Sequence, residues 1–456
     1  MTTPVALSEQ LAHAARVVQA VEQGRSLGDA LLSVPPGVRP GVQALVFYAL
    51  RHWGQATVLT GLLADQSPKP LVRALLGLAL TLLLPEAQQT DGVVYDVHTV
   101  VNQAVNALTV LKAPRGAVGF VNACLRRYTR EAQSLLEQSK SDAVARWNHP
   151  FWWVQRLRRD HPHHWQALLE RNQQAAPMTL RVNRQKVEPQ AYLGALKGAG
   201  IDAVLLGANA IELRQAVPVE QLPGWFDGHC SVQDAAAQLA APLLLQAGPL
   251  PAQARVLDAC AAPGGKTAHL IELGAHVHAL EVDAERSKRI HQNLQRLGLQ
   301  AQVTTADAGK PEQWWDGVQY DAILLDAPCT ASGIVRRHPD VRWLRRPTDV
   351  EQLVQQQRRL LLALWPLLKP GGCLLYCTCS LFKAEGASQM QWFLAQQPQA
   401  NSLPAPGHLL PGKSTENPSL VTQSNPVGAE SWGARAGLLA AGDGFFYGLL
   451  QKTQEF

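Results

Sequence analysis

The second half of the sequence alternates strand-length apolar runs with segments of helical length, and this alternation restricts the possible folds more than any other feature. It is typical of β-α-β units, which build a mostly parallel sheet covered by helices on both faces. Ligands of such sheets bind beyond the carboxyl ends of the strands, where the strand order reverses. The sequence therefore predicts an α/β domain with a pocket along one sheet edge. The predicted strands are residues 254–259, 277–282, 302–306, 322–325 and 373–379.

The 456 residues are enough for several domains, and the pattern changes twice along the chain. Residues 1–140 show only helical periodicity, so we predict an all-helical domain. Its first helix is expected to begin at an N-cap Ser8 and to end at Gly24. Residues 141–251 are predicted to form a linker and a small α/β domain. Residues 252–456 are predicted to form the α/β domain with the parallel sheet.

Shorter features refine this outline. In the small domain we predict strands at 203–206 and 210–213 and a helix near 233–246. In the last domain, residues 398–433 are rich in Pro, Gly, Ser and Asn, so this stretch is predicted to be a surface loop.

A Gly-rich turn joins the first predicted strand of the parallel sheet to a helix, in the run Arg255-Val-Leu-Asp-Ala-Cys-Ala-Ala-Pro-Gly-Gly-Lys-Thr267. Such a turn lets a nucleotide-like ligand lie against backbone amides. A phosphate-binding P-loop is the competing interpretation, but its pattern requires Gly where this chain has Cys260. The candidate ligand-binding residues of the turn are Cys260, Ala261, Ala262, Pro263, Gly264, Gly265 and Lys266.

Acidic residues recur where the predicted strands end. Glu281 follows the second strand and is the preferred acceptor for ribose hydroxyls, with Asp283 as the alternative. Asp307 follows the third strand, where it can reach an adenine amino group, and Asp326 ends the fourth. A single acid of this kind is usually a helix cap or a solvated loop residue, but the regular recurrence at strand ends favours a binding site.

Two thiols also stand at strand ends, Cys329 after Asp326-Ala-Pro and Cys379 in Thr378-Cys-Ser380. Neighbouring strands lie about 5 Å apart, so these thiols are expected to face one cleft. Zinc is the rival explanation for the cysteines near 373–379, but their spacing lacks the paired knuckles of structural zinc sites. The other five cysteines are interpreted as small buried apolar residues: Cys124, Cys230, Cys260, Cys373 and Cys377.

The charge is unevenly distributed although the net charge is only +5. Basic residues concentrate in 112–130, 146–186 and 336–346, which suggests a phosphate-backbone partner, whereas solvated helix faces are the plain alternative. We find no apolar run long enough to span a membrane and no basic region typical of a signal peptide before an apolar stretch. We therefore expect a cytoplasmic protein with reduced thiols.

These elements, taken in order, resemble those of the RNA 5-methylcytosine methyltransferases, and most closely the members that modify bacterial small-subunit ribosomal RNA. The resemblance covers nearly the whole chain and implies a Rossmann-like methyltransferase domain behind a helical domain similar to the antitermination factor NusB. The residues that carry it are Asp258-Ala-Cys-Ala-Ala-Pro-Gly-Gly-Lys-Thr267, Asp326-Ala-Pro-Cys329, Arg336-Arg-His-Pro-Asp340, Thr378-Cys-Ser380 and Asp443-Gly-Phe-Phe-Tyr447.

The resemblance implies roles for the site residues and S-adenosylmethionine as cofactor. Cys379 is expected to add to cytosine C6, Cys329 to assist release, Asp326 to hydrogen-bond the cytosine edge and Lys266 to orient the substrate. DNA enzymes of similar chemistry attack with the other thiol, so chemistry alone leaves the order of Cys379 and Cys329 open. Glu281 stands where the family usually has Asp, and its side chain is one methylene longer.

The expected partner is 16S ribosomal RNA, free or in an early subunit particle, with no metal and no membrane, and the chain is expected to be a monomer. Two other classes remain as alternatives. A non-enzymatic RNA-binding factor does not need two strand-end thiols and a cofactor pocket. A P-loop ATPase needs the missing Gly and a magnesium site.

Overall fold

The chain is described from a computed structural model that covers residues 5–88, 95–248, 250–251, 253–411 and 442–453. Contacts divide the chain into two compact units. The first unit comprises residues 1–175 and 335–347, and the second comprises 176–334 and 348–456. The helices at 143–171 and the segment 335–347 thus group with the amino-terminal helices, while the three-domain division stays a prediction.

The described part of the first unit is helical, as the periodicity predicts. Its helices are α1 (Leu7–Glu22), α2 (Leu27–Leu32), α3 (Arg39–Arg51), α4 (Trp53–Leu63), α5 (Pro70–Leu82), α6 (Val97–Val110), α7 (Arg115–Ser139), α8 (Ala143–Trp147), α9 (Phe151–Asp160) and α10 (Trp165–Arg171). Their apolar faces meet in one core, with α5 buried along most of its length.

The predicted N-cap of α1 is wrong by two residues, although the end of the helix is confirmed. Leu7 is buried and already lies in the helix, so Ala6 occupies the cap position. The Ser8 amide donates to Gln103 Oε1 at 3.1 Å, which replaces a local cap with a partner on α6. Beyond Glu22 the chain turns at Gly24 with a φ of +97°, a conformation that favours glycine.

The second unit begins with a four-stranded antiparallel sheet. Its elements are β1 (Met178–Val182), α11 (Pro189–Gly198), β2 (Ala203–Leu205), β3 (Ala210–Leu213), β4 (Cys230–Val232) and α12 (Ala240–Leu245), in the sheet order β2-β3-β1-β4. The two predicted strands are confirmed, whereas β1 and β4 were not predicted. The helix expected near 233–246 is shorter, because a 3-10 turn at Ala237–Leu239 precedes α12.

The remaining elements form a seven-stranded, mostly parallel sheet with helices on both faces, which confirms the predicted fold class. They are β5 (Arg255–Asp258), α13 (Gly265–Glu272), β6 (His276–Glu281), α14 (Ala284–Leu297), β7 (Gln302–Thr305), β8 (Tyr320–Asp326), α15 (Val341–Leu344), α16 (Pro347–Leu364), β9 (Leu368–Thr378), α17 (Ala387–Gln396), β10 (Ala400–Leu409) and β11 (Phe445–Lys452). Of these, α15 belongs to the first unit. The sheet order is β10-β11-β9-β8-β5-β6-β7.

The strand order reverses between β5 and β8, whose carboxyl ends lie side by side. From β5 the chain continues to β6 and β7 in one direction, whereas β8 and β9 extend in the other. Apolar side chains fill the layers on either face of the sheet. This switch point is where a doubly wound sheet leaves room for a ligand.

The surface loop predicted at 398–433 is wrong for its first part, because residues 400–409 form the edge strand β10. Its prolines are tolerated because an edge strand has one row of amides without a ladder partner. Pairing with β11 is interrupted between Leu403 and Gly407, the stretch that contains both prolines. Residues 412–433 of this prediction lie outside the described residues.

Candidate active site

The Gly-rich turn lies at the switch point, between the end of β5 and the start of α13. Gly264 has a φ of +96°, and a Cβ there would approach Ile290 within about 3.2 Å, so both conformation and space favour glycine. The amides of Ala261 and Ala262 donate to Leu280 O and Glu281 Oε2, at 2.8 and 3.3 Å. The turn is therefore fixed largely by its own bonds to β6.

Asp258 forms the floor of the site and has no exposed surface. Its Oδ2 accepts a 2.6 Å hydrogen bond from Thr267 Oγ1, while its Oδ1 has no hydrogen-bond partner among the described residues. Burial, with a smaller contribution from the nearby Asp326 charge, raises the pKa of Asp258 to about 7. A buried carboxylate oxygen without a donor can accept one from a ligand.

Two acids lie at the carboxyl end of β6, Glu281 as its last residue and Asp283 two residues later, and their surroundings differ. Glu281 is 3% exposed, and its carboxylate accepts from the amides of Ala262 and Asp283. Asp283 is exposed and caps α14 by accepting from the Arg286 amide at 2.9 Å, which lowers the pKa of Asp283. Between them, Val282 is 67% exposed and offers an apolar surface that no sequence motif marks.

Asp307, which follows β7, is held by an arginine from α16. Arg359 Nη1 and Nη2 donate to the two carboxylate oxygens of Asp307 at 2.9 and 3.1 Å. This hydrogen bonding lowers the pKa of Asp307 and raises that of Arg359. Sequence reasoning did not identify Arg359, because it lies 52 residues from its partner and no motif marks it.

An ion pair joins the turn to the end of β8. Lys266 Nζ lies 2.5 Å from Asp326 Oδ2, and Cys377 Sγ donates to Asp326 Oδ1 at 3.4 Å. Burial lowers the pKa of Lys266, but the Asp326 charge and hydrogen bond outweigh it, so the pKa of this ammonium is raised. Lys266 also lies over the Phe445 ring, 5.4 Å from its centroid.

The two strand-end thiols meet, as the sequence predicts for neighbouring strands. Cys329 Sγ and Cys379 Sγ are 3.5 Å apart, and both residues are half-buried. The hydrogen bond to Cys379, followed by burial, raises the pKa of Cys329. Either sulfur can be the donor in this contact, so the two thiols are close enough to exchange a proton.

The terminal Asp443–Tyr447 run is hydrogen-bonded to the loop that follows Cys329. Gly333, four residues after Cys329, donates from its amide to Cys379 O at 2.9 Å, and its own carbonyl accepts from Gly444 at 3.0 Å. A Cβ on Gly333 would collide with the Gly444 carbonyl oxygen, so these backbones approach closely.

The basic clusters are only partly on the surface. Arg181 lies on β1 and is buried in an ion pair with Glu272, 2.8 Å between Nη2 and Oε1. Arg336 and Arg342 are also fully buried. These three side chains therefore correct the prediction that the clusters as a whole serve a phosphate-backbone partner. Exposed basic residues in the clusters include Lys112, Arg115, Arg126, Arg130, Arg146, Arg158 and Arg159.

Neither a metal site nor a membrane span is found in the part of the chain that the structure describes. No group of three or more His, Cys, Asp or Glu side chains in the described ranges is placed to hold a metal ion. Within the same ranges, no helix combines the length and the apolar character that crossing a membrane requires.

The reversing parallel sheet, with acids at its strand ends and a Gly-rich turn at the switch point, defines a Rossmann-like doubly wound domain. Solved structures share the fold. PH0851 superposes with a TM-score of 0.73, covering 99% of this chain and 100% of its own at 22% identity. A methyltransferase homolog from Pyrococcus horikoshii superposes with a TM-score of 0.53 at 24% identity, covering 68% of this chain and 97% of its own.

The chain belongs to the RsmB/F family of methyltransferases. The family model described as 16S rRNA methyltransferase RsmB/F matches residues 248–450, and the model of the RsmF/B-like ferredoxin-like domain matches 149–220. Ribosomal RNA small subunit methyltransferase B of Vibrio vulnificus (strain YJ016) is 41% identical over 443 residues, covering 95% of this chain and 97% of its own. The protein of that name from Pasteurella multocida (strain Pm70) is 39% identical, covering 98% and 97%.

Proposed function

We propose that this chain transfers a methyl group from S-adenosylmethionine to C5 of a cytosine in 16S ribosomal RNA. The observation that carries the proposal is the 3.5 Å approach of Cys329 and Cys379 at the switch edge of the sheet. Cytosine C5 is a poor nucleophile until a thiolate adds to C6, so the reaction needs one thiol to attack and a second group to assist release.

The cofactor assignment rests on the charge of the side chains around the Gly-rich turn. When bound, S-adenosylmethionine supplies an electrophilic methyl group. Its sulfonium and ammonium charges suit a site lined by acids, of which Asp258 has a buried oxygen without a donor. Glu281 is proposed to accept from the ribose hydroxyls and Val282 to pack against the base. Asp307 is proposed to accept from the adenine amino group, for which its bonds to Arg359 must rearrange.

Each thiol is assigned one step of the reaction. Cys379 attacks C6, the role that the resemblance to the RNA 5-methylcytosine methyltransferases implies, and Cys329 lies 3.5 Å from its sulfur. The addition makes C5 nucleophilic, and the ring takes up the methyl group. Once its own proton has passed to solvent, Cys329 accepts the C5 proton. The electron pair of that C–H bond restores the ring and expels Cys379.

The Lys266–Asp326 pair is proposed to hold the cytosine in place. Asp326 is the more exposed partner, with 29% of its side chain accessible against 12% for Lys266. Its carboxylate can therefore accept a hydrogen bond from the exocyclic amino group of the cytosine, which orients the base for addition at C6. Lys266 fixes the carboxylate and is itself fixed by the ring of Phe445.

The RNA substrate is carried over from the relatives named above and agrees with exposed basic residues on α7. Arg126 and Arg130 lie one helical turn apart on that helix, and both are exposed. Arginines so arranged can contact successive phosphates.

The proposal is tested with S-adenosylmethionine carrying a tritiated methyl group. The protein is incubated with unmodified 16S RNA, free and assembled into subunit particles, and digested nucleosides are separated by chromatography. The expected result is label in 5-methylcytidine. Label in another nucleoside would contradict the C5 assignment, and no label with either substrate would contradict the proposed function.

A further inference from the structure

Glu385 is a fully buried carboxylate beneath the thiol cleft, and the reaction described above does not use it. It lies in a 3-10 turn, Lys383–Glu385, shortly after β9. Its Oε2 accepts from Thr330 Oγ1 at 2.5 Å and from Ser380 Oγ at 2.6 Å. Its Oε1 accepts from the Thr330 amide at 2.8 Å and from Gln357 Nε2 at 3.3 Å.

The donors identify which parts of the chain this carboxylate holds. Thr330 directly follows Cys329, and Ser380 directly follows Cys379. One side chain thus binds both thiol-bearing loops, which are joined further by the 2.9 Å contact between Ser332 Oγ and Ser380 Oγ. The Thr330 amide is a main-chain donor, so Glu385 fixes backbone as well as side chains.

A buried acid is a costly way to hold two loops together. Burial raises the pKa of Glu385, and hydrogen bonds from Ser380 and Thr330 oppose this shift. Apolar side chains of similar volume often pack such a position at no loss of stability. A carboxylate differs from them because it accepts several donors in fixed directions, and here those donors come from both sides of the cleft.

We propose that Glu385 is a positioning residue that sets the relative placement of Cys329 and Cys379 through Thr330 and Ser380. The inference rests on the proposed function, because only a reaction that uses both thiols on one base requires their spacing to be held. A misplacement of about 1 Å can cost about 100-fold in rate.

Two substitutions of Glu385 separate the effect of its hydrogen bonds from the effect of its charge. In Glu385→Gln, the amide oxygen can replace Oε1 and accept from the Thr330 amide. The amide nitrogen can replace Oε2, because the hydroxyls of Thr330 and Ser380 can rotate to accept from it. Glu385→Ala removes every one of these bonds. Thr330→Val removes a single hydroxyl and keeps the shape, and Glu351→Ala, at an exposed position of α16, is the matched control.

The probe is RNA in which 5-fluorocytosine replaces cytosine, because C5 then carries no proton to lose and the methylated adduct stays bound. The rate of adduct formation is measured with saturating RNA and S-adenosylmethionine, and cofactor affinity is measured by calorimetry. Glu385→Ala is expected to form adduct about 100-fold more slowly with unchanged cofactor affinity. Glu385→Gln should keep most of the wild-type rate, Thr330→Val should be intermediate, and Glu351→Ala should match wild type.

The outcomes distinguish this inference from the proposed function. A wild-type protein that forms no adduct with the fluorinated RNA would overturn the covalent reaction itself. Normal adduct formation in both Glu385→Ala and Thr330→Val would overturn the positioning role while leaving the reaction intact. A rate loss matched by an equal loss of cofactor-binding sites would also overturn it, since that is the behaviour of a residue needed only for folding.

Discussion

At the scale of single residues, Asp258 and Glu281 are both buried but differ in how many of their carboxylate oxygens already accept a hydrogen bond. Both stand at strand ends beside the Gly-rich turn and have almost no exposed surface. Asp258 keeps one oxygen without a donor, whereas Glu281 is supported by two backbone amides. Asp283, only two residues from Glu281, is instead committed to capping α14.

These surroundings predict that substitution of Glu281 changes cofactor affinity, whereas substitution of Asp283 changes stability. Glu281→Ala should weaken S-adenosylmethionine binding by about 10-fold or more, because a hydrogen bond to a charged group is worth about 1.5 to 3 kcal/mol. Asp283→Ala should leave cofactor affinity unchanged and cost about 1 kcal/mol of stability, the usual loss for a helix cap. Calorimetric titration measures the affinities. A larger affinity loss in Asp283→Ala would transfer the ribose contact to that residue.

The raised pKa of Asp258 predicts a pH-dependent stability. The pKa is about 7 in the folded chain against 3.8 for the free side chain, so the folded state binds more protons between these values. The resulting stability is complete below about pH 4 and is lost as the pH rises through about 7. Relative to Asp258→Asn, the wild-type free energy of unfolding should fall by about 2 to 3 kcal/mol between about pH 5 and about pH 8.

Denaturant unfolding at several pH values measures this difference. Asp202→Asn, at an exposed position, is the control and should show no such pH dependence. A constant difference between wild type and Asp258→Asn across the range would show that Asp258 is ionised throughout.

At the scale of elements, α15 shows that a basic residue of the cluster 336–346 can stabilise the fold by donating to buried backbone carbonyls. The segment 335–347 lies with the helical unit, although the chain before and after it belongs to the other unit. Arg342 is fully buried and donates to the carbonyls of Asn148 and Asn172 at 3.1 and 2.7 Å. Trp343 Nε1 donates to Leu50 O at 2.8 Å. Burial lowers the pKa of Arg342 to about 9.

Arg342→Ala should therefore destabilise the helical unit by about 3 kcal/mol, because two buried carbonyls lose their donor and a cavity remains. Arg346→Ala, at an exposed position of the same run, should change stability by no more than about 0.5 kcal/mol. Chemical denaturation monitored by tryptophan fluorescence compares the two. Equal stabilities would contradict the docking of this segment.

Local patterns predicted the parallel strands because each apolar run marks a buried strand by itself. The strand-end acids and thiols followed from the same reasoning, since parallel strands bring their carboxyl ends to one edge. The partners of Asp307 and Thr330 could not be predicted, because Arg359 and Glu385 lie 52 and 55 residues away in sequence. The edge strand β10 was missed because its prolines are also typical of loops.

At the scale of the whole molecule, the basic charge divides into a buried share and an exposed share. Arg158 and Arg159 are exposed on α9 and Arg156 is half-buried, while Trp153 of the same helix is fully buried. One face of α9 thus packs in the helical unit, and the other carries the exposed arginines, of which Arg159 also pairs with Asp160 at 3.0 Å. RNA binding by the exposed face stays a prediction.

Neutralising Arg156, Arg158 and Arg159 together should weaken RNA binding and flatten its dependence on salt. Each lost phosphate contact should reduce the slope of log K against log salt by about 0.7 to 0.9. Filter binding at several salt concentrations measures the slope, and cofactor affinity, which should stay the same, is the internal control. An unchanged slope would show that RNA does not contact this face.

The covalent reaction is tested most directly by following RNA adducts in Cys379→Ala and Cys329→Ala on a denaturing gel. Cys373→Ala, a buried thiol within β9, is the control and should turn over like wild type. Cys379→Ala should form no adduct and no 5-methylcytosine, because attack at C6 never begins. Cys329→Ala should attack and transfer the methyl group but release slowly, so a band retarded by bound RNA should accumulate. Adduct in the Cys379 variant and none in the Cys329 variant would reverse the assigned roles, and full activity in both variants would contradict covalent catalysis by this pair.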